Sequence, residues 1–139
     1  ACLLQWDNIY YQEPTEEYIS PKTTVRVGLV QWQMRSYKTL DDLFEQVEFF
    51  VDSVSGYQSD FVLFPEYFNA PLMARFNDAS ESQAIRGLAR YTDEIRERFI
   101  NLAIRYNINI ITGSMPLIKE DGLLYNVGFL CRRDGTYEM

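Results

Sequence analysis

The sequence predicts an α/β layered fold, and three observations carry that prediction. Short apolar, strand-like runs recur at residues 25–32, 60–66, 108–113 and 125–131. Between the first three runs lie segments whose apolar residues return at helical spacing. Strands that alternate with helices form a sheet layered under those helices, whereas the last two runs, parted only by a turn, are expected to pair as a hairpin or nearly so.

Residues 1–24 differ from the rest. Gln12-Glu13-Pro14-Thr15-Glu16-Glu17 and Ser20-Pro21-Lys22 are polar and punctuated by proline, which marks an extended arm or linker. Cys2-Leu3-Leu4, Trp6, Ile9, Tyr10 and Tyr11 are apolar enough to dock on this domain or a neighbour, so the tail of a preceding domain is the other reading. The folded domain is expected over residues 25–139.

Val25–Trp32 is rich in β-branched residues and is predicted to be a buried first strand. Thr39 can cap a helix with Asp42 three residues on. Leu40, Leu43, Phe44, Val47, Phe50, Val51 and Val54 then form its inner face as far as Gly56. Asp41, Glu45, Glu48 and Asp52 fall on its outer face and read as a solvated charge row, not a metal site.

Asp60-Phe61-Val62-Leu63-Phe64-Pro65-Glu66 is the most informative stretch. Its apolar middle reads as a strand buried on both faces, as in a parallel sheet covered by helices. Pro65 lacks the N–H that would continue the ladder. Glu66 therefore stands at the carboxyl end of an inner strand, partly dried, where open α/β sheets place their ligands. The plainer alternative is an ordinary loop carboxylate facing water.

Tyr67–Ala79 shows no steady period and is expected to be a long loop beside that strand end. Ser80, with Gln83 as its partner, opens a short helix to Arg90 that Gly87 weakens. Thr92 is expected to cap a stronger helix with Ile95, Phe99, Leu102, Ala103 and Tyr106 inside, ending at Asn107. Ile108–Gly113 is a third strand, Glu120-Asp121-Gly122 a turn, and Tyr125–Cys131 a fourth strand leading to a turn at Arg133-Asp134-Gly135.

Composition narrows the chemistry. The chain has 139 residues, 47% of them hydrophobic, enough for one domain with a core. A net charge of -7 argues against nucleic-acid or anionic-membrane partners. No apolar run approaches bilayer length and the start lacks signal-peptide features, so a cytoplasmic location is expected. There is no histidine, which removes Ser-His-Asp and Cys-His arrangements and imidazole metal sites. A general base here is a carboxylate, Lys or Tyr. The seven glycines form neither GxGxxG nor a phosphate loop, and Cys2 and Cys131 have no metal-ligand spacing.

Four segments, taken in order, resemble the first part of the nitrilase superfamily of carbon-nitrogen hydrolases. They are Val25–Gln31, Asp60–Glu66, Ile110-Ile111-Thr112-Gly113-Ser114, and Tyr125-Asn126-Val127-Gly128-Phe129 followed by Asp134-Gly135. The resemblance implies an α-β-β-α sandwich, here as a partial domain, and a Glu-Lys-Cys triad acting on a small amide or nitrile without metal or organic cofactor. Only the Glu maps, onto Glu66. The family's Lys would follow the Asp-Gly turn beyond Met139 and its Cys a later strand, so the chain would cover about half of a catalytic domain. Family members stack their sandwiches into dimers, and some follow an acetyltransferase-like domain; both are expectations for the whole protein.

The other reactive residues have simpler readings. Cys131 lies before the place where the family's Lys would come and reads as a small core hydrophobe. Lys22, Lys38 and Lys119 read as solvated charges. Tyr67 and Phe68 are candidates for a substrate-pocket wall, with core packing as the alternative. Asn126 is assigned no catalytic role. A competing interpretation is a non-catalytic α/β binding or structural module that packs against a partner, with Glu66 merely closing a loop.

Overall fold

Local signals start each element of the computed structural model, which describes residues 24–139. The arm expected over residues 1–24 lies, apart from Thr24, outside them. β1 spans Val27–Leu29. Thr39 and Asp42 form the expected capping box of α1, Leu40–Gly56, and satisfy backbone N–H groups that have no partner inside the helix. β2 spans Phe61–Leu63. The segment expected as loop contains a 3-10 helix, Ala70–Phe76, that starts with Pro71 in its first turn and seats the fully buried Leu72. Ser80 and Gln83 form the second box, opening α2, Glu81–Ala89.

α3 spans Thr92–Arg105, but Thr92 is not its cap. Tyr91 occupies that position, and the fully buried Thr92 hydroxyl donates to the Pro116 carbonyl instead. The helix ends as expected: Asn107 takes the left-handed conformation at φ 49°. β3 runs Asn109–Ile118, longer than the segment recognised in the sequence. β4, Leu124–Cys131, returns antiparallel to it, and β5, Tyr137–Glu138, adds a short last strand after the turn at Gly135. The strands lie in chain order, with β1, β2 and β3 parallel.

The register decides what is buried. Gly28, Val62, Ile110 and Cys131 stand in one row across the sheet, and the last three have no exposed surface. That face carries α1 and α3, and its core gathers Phe44, Phe64, Phe68 and Phe99 in ring contact. Gly28 permits the approach: a Cβ there would stand 2.4 Å from Val54 Cγ1 of α1. Asp41 pairs with Arg98 and Glu48 with Arg105, each at 2.6 Å. Both pairs are 57 residues apart, so the two helices run in the same direction.

The opposite face corrects one expectation. Val27, Leu29, Phe61, Leu63, Ile111 and Leu130 share it, and Leu29 is 73% exposed while Phe61 and Leu63 are half-buried. β1 and β2 are thus buried on one face, not two, because the described helices all contribute to one core. No described helix is long and apolar enough to cross a membrane.

Candidate active site

β2 approaches Glu66 through a break in its ladder. Phe64 N–H donates to the Ile111 carbonyl at 2.9 Å, Pro65 has no N–H to give, and pairing resumes when Tyr67 N–H donates to the Ser114 carbonyl at 2.8 Å. Pro65 therefore interrupts the ladder without ending it. β3 matches the interruption with a bulge between Ile111 and Ser114. At its centre Gly113 has φ +70°, and a Cβ on it would lie 2.2 Å from the Pro65 carbonyl oxygen, so only glycine fits.

Glu66 occupies the gap. Its Oε1 accepts from Ser114 Oγ at 3.0 Å and from Asn126 Nδ2 at 2.8 Å. Ser114 pairs with Gly128, and Asn126 precedes Gly128 by two residues, so the two donors are diagonal neighbours across β3 and β4. Gly128 is tight against β3 as well, since a Cβ there would meet the Gly113 carbonyl oxygen at 3.0 Å. The Glu66 side chain is exposed, not partly dried as expected: no described residue encloses it. It is nevertheless held at the carboxyl end of β2 by two strands.

Its neighbours differ in role. Tyr67 is half-buried and has φ 53°, a left-handed conformation rarely taken by a bulky aromatic and often found beside functional groups. Phe68 is fully buried among Trp32, Phe64 and Phe99, a core position. An open cleft of about 410 Å³ lies between the β1–α1 loop and the 3-10 helix, lined by Met34, Arg35, Ser36, Ala70, Pro71 and Ala74. Both flanking segments follow carboxyl ends of parallel strands, where α/β sheets bind small molecules.

The remaining reactive groups stay apart. Burial pushes the Cys131 thiol up to about 12, which leaves almost no thiolate near neutrality. Lys119 lies over the Tyr125 ring at the far end of the β3–β4 hairpin. Lys38 flanks the start of α1, with its backbone N–H on Asp42, and Lys22 falls outside the described residues. Ser114 and Asn126 are the site residues that sequence reading missed. Their only signal was membership of the third and fourth family-like segments.

The family model described as Carbon-nitrogen hydrolase matches residues 26–138, nearly the whole described chain. The chain belongs to the carbon-nitrogen hydrolase family. This carbon-nitrogen hydrolase chain is 37% identical over 139 residues to the probable hydrolase YhcX of Bacillus subtilis (strain 168), covering 99% of itself and 27% of that protein. Among solved structures it resembles a carbon-nitrogen hydrolase from Helicobacter pylori G27, with TM-score 0.64 and 17% identity over 81% of this chain and 37% of the other. It also resembles an amidase from Nesterenkonia sp., with TM-score 0.63 and 19% identity over 83% of this chain and 41% of the other. The chain thus spans well under half of each relative. Its fold is a partial α/β domain of the nitrilase type.

Proposed function

We propose that the whole protein hydrolyses the carbon–nitrogen bond of a small, non-peptide amide or nitrile, with Glu66 as the general base. The observation that supports this reading most is the carboxylate held at the carboxyl end of β2, within a chain of carbon-nitrogen hydrolase sequence. The nucleophilic Cys and the oxyanion-stabilising Lys come from polypeptide beyond Met139.

The chemistry asks for such a group. A thiol attacks only as thiolate, and the carboxylate held at the end of β2 is a suitable acceptor of its proton. Glu66 takes the S–H proton as sulfur bonds to the substrate carbon. For an amide it then gives that proton to the departing nitrogen, and ammonia or an amine leaves a thioester. Glu66 next takes a proton from water, whose oxygen attacks the thioester, and returns it to the sulfur as the acid departs. A nitrile enters the same cycle through a thioimidate. The Lys ammonium supports the negative charge that develops at the reacting centre.

The test is release of ammonia by the full-length gene product and by its Glu66→Gln variant, across short amides and nitriles. General base catalysis is worth about a hundred- to ten-thousand-fold, so the variant should fall by that order. Equal rates in the two proteins would reject Glu66 as the general base, and no release by either would favour the binding-module reading. The assembly proposed for the whole protein is a dimer of sandwiches.

A further inference from the structure

We infer that Ser114 and Asn126 are positioning residues that act through one oxygen of Glu66, and that they thereby reserve Oε2 as the atom that carries the travelling proton. This rests on the reading of Glu66 as general base and deepens it by dividing the work between the two carboxylate oxygens.

The observation is that both donors meet the same atom. Ser114 Oγ and Asn126 Nδ2 both reach Oε1, and no described residue donates to Oε2. An ionised carboxylate only accepts, so the Asn126 amide must present its NH2 group and the Ser114 hydroxyl its hydrogen. The terminal torsion of a glutamate is broad and nearly two-fold, so a carboxylate on its own interchanges its oxygens freely. Two donors converging from different strands fix the plane and make the oxygens inequivalent.

The division survives protonation. When Oε2 carries the proton, Oε1 is the carbonyl oxygen of a neutral acid and still accepts both hydrogen bonds. A proton on Oε1 would instead compete with the two donors for that oxygen's lone pairs. The same contacts therefore hold the base before and after each transfer, and the site need not rearrange as the proton arrives and leaves.

The fold supplies the stiffness. Both donors are short side chains on paired strands, which locate a group better than loops do. Ser114 sits on the bulge, a device that re-aims a side chain. It grips twice: its carbonyl accepts the Tyr67 N–H and its hydroxyl donates to Glu66 Oε1. The carbonyl contact holds the backbone immediately after the base in its left-handed conformation.

The experiment uses the full-length enzyme and its Ser114→Ala, Ser114→Thr, Asn126→Ala, Asn126→Asp and Glu66→Gln variants, each assayed for kcat, KM and folded fraction by circular dichroism. Loss of either donor should lower kcat about ten- to a hundred-fold with KM little changed, as small misplacements of catalytic groups do. Ser114→Thr keeps the hydroxyl and should restore kcat, whereas Asn126→Asp sets one carboxylate against another and should be the most damaging. A purely structural loss would instead lower the folded fraction and spare kcat per folded molecule. If an Asn126 variant fails to fold, the Ser114 pair decides alone. Native kcat per folded molecule in the alanine variants, with Glu66→Gln inactive, overturns the inference and leaves the general base standing. Full activity of Glu66→Gln removes both.

Discussion

Cys131 and Glu66 are carried by one sheet into opposite environments. Cys131 points into the core from β4 with no exposed surface, and burial raises its thiol from 9.0 to about 12. In the unfolded chain the thiol ionises first, so above pH 9.0 the unfolded state has lost a proton that the folded state keeps. The stability this contributes is complete below the unfolded value and is lost as pH rises toward about 12. Urea midpoints should therefore fall more steeply from about neutral pH to about pH 10 in the native sequence than in Cys131→Ala. Equal slopes would refute the assignment, whatever the cavity left by the missing sulfur does to the absolute values. Glu66 was legible in the sequence because it ends an apolar run after a proline. Its partners were not: its contacts to Ser114 and Asn126 span 48 and 60 residues, and nothing local in a serine or an asparagine says what it will face.

Elements were legible where their signals are local. Thr39 with Asp42 and Ser80 with Gln83 could be read directly, because a capping box closes within four residues. Thr92 misled the same reasoning: its hydroxyl goes to the Pro116 carbonyl 24 residues away, a partner no helix rule can find. The 3-10 helix at Ala70–Phe76 escaped because its apolar residues keep no helical period, and the bulge at Gly113 because it answers a proline on another strand. Thr39 offers the cleaner test of an element's dependence on its cap. Its Oγ1 accepts from Asp42 N–H at 3.1 Å, and the Asp42 carboxylate accepts from Thr39 N–H at 3.0 Å. Thr39→Ala removes the first of these and should destabilise the chain by about 1 kcal/mol. Chemical denaturation measures it, and Thr39→Ser should recover most of the loss. The exposed pairs between α1 and α3 contribute less, since such ion pairs are typically worth about 0–1 kcal/mol each.

At the scale of the whole molecule, apolar runs without alternation anticipated a sheet covered on both sides, and the structure covers one. Leu29, Leu63, Ile111 and Leu130 form a continuous apolar row on the other side, with Val27 and Phe61 beside it; Val27 is 48% and Leu29 73% exposed. Contiguous apolar surface of this kind is rarely left open by a monomer in water, because burying it is worth about 25 cal/mol per Å². The sandwich implied by the nitrilase-type fold places a second sheet there, and the chain covers only 37% and 41% of the two solved relatives. The 139-residue chain on its own should therefore self-associate through this face. Static light scattering over a dilution series should give masses above the monomer that fall as the sample is diluted. Leu29→Lys combined with Leu63→Lys puts two charges on the row and should restore a monomer, while a charge added at Tyr57, an exposed residue just after α1 on the helix-covered side of the sheet, should not. A clean monomer from the unaltered chain at all concentrations would mean that the face is not the adhesive surface its composition makes it.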